Sequence, residues 1–94
     1  MTESHRLRVP DRVAETIRGL HPTLKQQVRA ALQVLIRRPT AGKALKNELA
    51  GLRSYRVGRA RIVYRLAGER TLEIVAIGPR RTIYEETYRL LRRR

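Results

Sequence analysis

Residues 49–84 read LAGLRSYRVGRARIVYRLAGERTLEIVAIGPRRTIY, and their centre, residues 55–66 (YRVGRARIVYRL), decides the fold. The chain reverses around Gly58, and on both sides of it apolar residues alternate with arginines. Successive side chains of a strand point to opposite faces. Ile62, Tyr64 and Leu66 therefore share one face, and Arg61, Val63 and Arg65 the other. A strand that buries one side and shows arginines on the other is suited to face RNA phosphates. A second half-apolar run, residues 72–77, ends at Gly78 and is followed by Pro79, Arg80, Arg81 and, shortly after, Tyr84. The arginines at the end of this run are expected to converge with those of the hairpin. That convergence is the expected functional site.

Working outward, strands are expected over 53–57, 61–66 and 72–77, with a turn at Ala67–Arg70 that contains Gly68. Such short connections make neighbouring strands antiparallel. Upstream, residues 40–54 read mostly as loop, with Lys43 and Lys46 exposed and Leu45, Leu49 and Leu52 as anchors. Before it, Val13, Ile17 and Leu20 mark one helical stripe, and Leu24, Val28, Ala31, Leu32, Leu35 and Ile36 a stronger one. Pro10 permits the first helix to start, Gly19 and His21–Pro22 separate the two, and Pro39 stops the second. The short link implies an antiparallel helical hairpin. Residues 6–9 alternate as a short strand would. Downstream, Thr82 and Glu85 have capping-box spacing, and Tyr84, Tyr88 and Leu91 form the stripe of a short C-terminal helix. Arg92–Arg94 suit that helix's negative end.

The expected fold is thus α+β, a single domain over residues 1–94. An antiparallel sheet of three to four strands carries the N-terminal helical hairpin on one face. The other face is expected to stay partly open, with arginines on it.

Composition narrows the function. There is no cysteine, and hence no disulfide or thiolate chemistry. His5 and His21 have no Asp or Cys nearby, so no metal or other cofactor is expected. No apolar run approaches a membrane span, and the first ten residues lack the apolar core of a secretory signal, which predicts a cytoplasmic protein. The net charge is +14, from 22 Lys and Arg against 8 Asp and Glu. Residues 1–47 hold 10 cations and 3 acids and residues 48–94 hold 12 and 5, so each half is +7. The positive field belongs to the folded body and not to a tail. Nucleic acid is the usual partner of such a field, and an acidic protein the second.

Two stretches, LAGLRSYRVGRARIVYRL and IVAIGPRRTIY, following two helices, resemble the RelE/ParE superfamily of toxins from toxin–antitoxin pairs. The resemblance spans nearly the whole chain. Its RelE branch consists of ribosome-dependent endoribonucleases that cut mRNA in the ribosomal A site without a metal, by attack of a 2′-hydroxyl on the adjacent phosphate. The resemblance implies a cationic role for Arg61 and places Arg80 near the phosphate or leaving group. It implies that Tyr84 stacks on a base or assists proton transfer, and it sets Arg56 where a catalytic lysine often lies. Lys43, Lys46, Arg53 and Arg81 would contact RNA. Implied partners are mRNA, the ribosome with its 16S rRNA, and a cognate acidic antitoxin that forms a hetero-oligomer with the toxin.

The chain departs from the pattern in having Pro79 where many relatives have histidine, and its hairpin at Gly58 is short. No acid or histidine is placed as general base, and arginine stays protonated. A lysine or Tyr84 serves, or phosphate stabilisation carries the rate. The competing reading is the ParE branch, which poisons DNA gyrase and has no nuclease centre. A passive RNA-binding domain is disfavoured by the shortage of aromatic platforms.

Overall fold

The computed structural model describes residues 5–92. Its elements run β1 (Arg6–Arg8), α1 (Asp11–Arg18), α2 (Pro22–Arg37), β2 (Lys43–Ala44), β3 (Arg53–Val57), β4 (Ala60–Leu66), β5 (Thr71–Pro79) and α3 (Ile83–Arg92). Pro10 precedes α1, and Asp11 and Arg18 match the charges of the helix ends. His21 has a local duty: its Nδ1 accepts the Thr23 N–H at 3.2 Å and caps α2, whose first residue is Pro22.

The strands β3, β4 and β5 form the expected antiparallel meander, with Tyr55 opposite Ile62 and Ile62 opposite Ile77. The sheet differs from expectation in size and sense. It has five strands in the order β1-β5-β4-β3-β2, and β1 runs parallel to β5, with Leu7 opposite Leu72. Alternation within a three-residue strand marks the strand but carries no sign of its partner's direction, which the return path through both helices sets. Residues 43 and 44, expected as loop, pair with β3 through Lys43–Ser54 and Ala44–Arg53. The ladder continues where the Leu45 N–H donates to the Leu52 carbonyl at 2.9 Å. Two residues are too few to show a period.

Both faces of the sheet are covered. On one, Val13 of α1 and Val28, Leu32 and Leu35 of α2 pack on Ile62, Tyr64, Leu72, Ile74 and Ile77. On the other, Ile83 of α3 closes over Leu52, Val63, Val75 and Ala76, with Leu45, Leu49, Tyr84, Leu90 and Leu91 around them. A shift of register after Val63 moves the pairing from Ala76 to Ile74 and inserts Val75, so that Val75 and Ala76 both reach this second cluster. The expectation of an open arginine face is therefore corrected. The apolar centre of that face is worth more buried than wet, and α3 supplies the cover. Arginines remain at its two ends.

Tyr64 is fully buried, yet its hydroxyl donates to the Pro39 carbonyl at 2.6 Å and accepts the Gly42 N–H at 2.8 Å. These bonds pin the turn that leads into β2. A side-chain carbon at Gly42 would meet the Tyr64 ring at 2.7 Å, so the approach requires glycine. At α3 the cap differs from the expected Thr82–Glu85 pairing. Thr82 Oγ1 donates to Glu86 Oε2 at 2.8 Å, while Glu85 pairs with Arg89 at 2.8 Å. One residue turns a helix by about 100°, which carries Glu85 toward solvent and its i+4 partner. Arg92 sits over the Tyr88 ring, 5.5 Å from its centroid; Arg93 and Arg94 lie outside the described residues.

Candidate functional site

The hairpin and the end of β5 bring the cations together on the α3 face. Arg56 on β3 is the direct cross-strand neighbour of Arg61 on β4, and Arg61 is in turn opposite Gly78 on β5. Like charges directly opposite each other destabilise a sheet. Among the described residues, neither arginine is in an ion pair. The contrast is Arg65, on the same face at the other end of β4. Its Nε lies 2.8 Å from Glu73 Oε1, and Arg8 approaches the other oxygen of that carboxylate at 3.6 Å. The sheet thus neutralises one arginine end internally and leaves the other to an external anion.

Arg61 is half-buried, and its Nη1 donates to Ser54 Oγ at 2.9 Å. The Tyr84 hydroxyl is hydrogen-bonded to the same oxygen at 3.1 Å. Ser54 is 1% exposed. One buried hydroxyl on β3 therefore joins a cation of β4 to an aromatic of α3. Ser54 is opposite Lys43 across the β2–β3 pair, which puts Lys43 on this face. Beside it lies a cleft of about 340 Å³, lined by Lys43, Leu45, Lys46, Leu49 and Tyr84 among others. Lysines from the 43–46 segment and Tyr84 from α3 thus share one cavity, although 38 positions separate Lys46 from Tyr84 (84 − 46).

Arg80 and Arg81 occupy the turn between β5 and α3, both exposed. The Arg80 N–H donates to the Arg59 carbonyl at 3.0 Å, which ties this turn to the β3–β4 turn. Arg80 stands two residues beyond Gly78, the neighbour of Arg61. Arg53 is the exception. It pairs with Tyr64 in register and so faces the helical hairpin. Its Nη1 donates to the Gly42 carbonyl at 2.6 Å, away from the Arg56–Arg61 pair. The structure thus gives Arg53 a duty in bracing the 40–42 turn and does not bring it into the cluster.

Two residues of this face escaped the sequence reading. Ser54 shares its parity with Arg56, which was a usable signal, but a lone serine in a strand does not announce a hub. The other is Glu86, one of two adjacent acids in the first turn of α3. Its Oε1 lies 3.3 Å from where a side-chain carbon of Gly78 would stand, so a carboxylate borders the cation cluster.

A family model described as the ParE toxin of the type II toxin–antitoxin system parDE matches residues 7–84. Among solved structures, the RelBE2 toxin–antitoxin complex of Mycobacterium tuberculosis contains a chain 31% identical, with a TM-score of 0.73, covering 83% of this chain and all of that one (100%). A mutant of the E. coli toxin RelE in the free state matches with a TM-score of 0.74 at 18% identity, over 93% of each chain. The archaeal RelE–RelB complex of Pyrococcus horikoshii gives a TM-score of 0.70 at 19% identity, over 83% of this chain and 97% of that one. The last two likenesses concern the fold. No curated protein sequence matches the chain.

Proposed function

The chain belongs to the RelE/ParE superfamily of toxins of type II toxin–antitoxin systems, and from that premise we propose that it is a ribosome-dependent mRNA endoribonuclease. The observation that carries the reading is the Arg56–Arg61 pair, two adjacent cations without a carboxylate partner among the described residues, set beside Tyr84. In the proposed reaction a bond forms between the 2′-oxygen and phosphorus as the bond to the 5′-oxygen breaks. The 2′-hydroxyl gives up a proton and the 5′-oxygen gains one. Negative charge grows on the phosphate oxygens, and prepositioned guanidinium groups stabilise it most when water is excluded. Arg61 and Arg56 take the phosphate, and Arg80 lies toward the leaving oxygen. Tyr84 orders the neighbouring nucleotide. Lys43, Lys46 and Arg81 hold the flanking backbone, with the ribosome presenting the message.

The match to a ParE model favours one alternative, inhibition of DNA gyrase. Cell-free translation with added protein separates the two. The expected result is new mRNA 5′ ends, mapped by primer extension, at A-site codons and only on translating ribosomes. Intact mRNA together with gyrase trapped on DNA would establish the alternative.

The partner follows from the charge and the fold. RelE is held by RelB in the archaeal complex, and a small acidic antitoxin is proposed here. A segment disordered when free can wrap a large basic and apolar surface as it folds. Long-range attraction speeds encounter, whereas buried apolar contacts set the lifetime. Raising salt is therefore expected to slow association much more than it speeds dissociation, as read by surface binding kinetics. Equal effects on both rates would mean that the +14 field does not steer the encounter.

A further inference from the structure

We infer that Ser54 is a positioning residue, whose hydroxyl locks Arg61 and Tyr84 into one unit and directs the phenol's proton into the cleft. The inference rests on the nuclease reading for its kinetic consequence but not for its geometry. Among the described residues, the Ser54 bond is the one side-chain hydrogen bond of Arg61 and the one of Tyr84. Both side chains reach the cluster from different elements, β4 and α3, and neither has another polar tether. With Ser54 removed, a guanidinium and a phenol at the edge of a cleft keep only packing to hold their orientation.

The bonding of the hydroxyl is also directional. Serine has one proton and two lone pairs. Arg61 can only donate, so it takes a lone pair. The remaining bond joins two hydroxyls and can run either way. When Tyr84 donates, the proton of Ser54 is left over at a site 1% exposed to water. When Ser54 donates, every group is used: Arg61 to Ser54, Ser54 to the Tyr84 oxygen, and the phenol's own proton turned toward the cleft lined by Lys43 and Lys46. Donation from a cation strengthens the hydroxyl as a donor in turn. The chain of bonds thus favours the arrangement that presents Tyr84 to RNA as a hydrogen-bond donor.

The residue's place on the sheet fits this task. Ser54 lies opposite Val63, packed beneath α3, and next to Lys43 on the other side. Serine is small enough to be covered and polar enough to hold both neighbours.

The test compares Ser54→Ala and Ser54→Thr in the full chain, with melting curves to check that each folds. Relaxation of the Arg61 ¹⁵Nε group reads the tether without any substrate. Arg61 is expected to be ordered in the wild type and in Ser54→Thr, and to gain motion in Ser54→Ala. In the ribosomal cleavage assay Ser54→Ala is expected to lose about 10- to 100-fold in kcat with little change in KM, the scale of misplaced groups. Ser54→Thr is expected to recover most of it. In a Tyr84→Phe background the Ser54→Ala loss is expected to shrink, because the pair acts as one unit. Unchanged Arg61 order in Ser54→Ala would overturn the inference whatever the activity. So would a kcat loss that adds in full to that of Tyr84→Phe. A wild type that cleaves nothing would sink the nuclease reading and leave the Arg61 measurement to decide the tether.

Discussion

Arg61→Ala is expected to lower single-turnover mRNA cleavage by about 10²–10³, the usual cost of one lost donor to a developing negative charge. The fold is expected to survive. Arg61 is only half-buried, and its removal relieves the repulsion from Arg56 across the strands. Arg80→Ala is expected to act in the same direction. The internal control is Arg65→Ala. That arginine shares the strand and the face with Arg61 but is tied to Glu73, and cleavage is expected to stay near wild type. The comparison separates a local role from the loss of one charge out of a +14 field. Near wild-type rates in Arg61→Ala and Arg80→Ala, with ribosome binding retained, would remove both residues from the site. Equal losses in all three variants would mean that only bulk charge matters.

The largest effect on stability is expected at Tyr64. Deleting the ring by Tyr64→Ala should cost about 3–5 kcal/mol, the range for truncating a buried aromatic. Tyr64→Phe keeps the ring and removes only the hydroxyl. It orphans the Gly42 N–H and the Pro39 carbonyl, and is expected to cost about 1–3 kcal/mol. Denaturant unfolding at neutral pH reads both. A pH dependence follows from the same burial. Desolvation pushes the Tyr64 phenol above its ordinary value of 10.0, opposed in part by the bond from Gly42 and the charge of Arg53. The folded state then holds a proton that the unfolded chain gives up. Stability from this group is full below pH 10 and falls as pH rises beyond it. The wild type is therefore expected to lose more stability than Tyr64→Phe between neutral pH and alkaline conditions. Parallel curves for the two proteins would show that the phenol does not titrate with unfolding. Equal stability of the two at neutral pH would show that the 39–42 turn does not depend on the hydroxyl.

The meander was legible in local patterning. Period-two alternation assigned a face to residues 61–66, and the shared parity of Arg61 with Arg65 is how they stand in the sheet. The apolar stripes of 3.6-residue period likewise marked the two helices and the side chains they bury, because local geometry alone fixes which side chains a helix can bury together. The RelE/ParE likeness was legible for the same reason: its motifs lie within short stretches. The rest depends on partners far apart in the chain. The parallel seat of β1 beside β5 depends on the route of the connection, and three residues hold no record of that route. The packing of α3 across the second face depends on how much apolar area the sheet leaves uncovered, a sum over four segments. Which arginine is neutralised was likewise invisible. Arg61 and Arg65 occupy equivalent positions in the pattern, and only the cross-strand register puts Glu73 beside one of them and Gly78 beside the other. Arg53 stands apart from the cluster on the same principle. Its parity put it with Tyr64, and the carbonyls of residues 40 and 42, brought in by the edge strand, captured its charge. Ser54 became the hub because three elements meet at one hydroxyl, and a meeting of three elements exists only after folding.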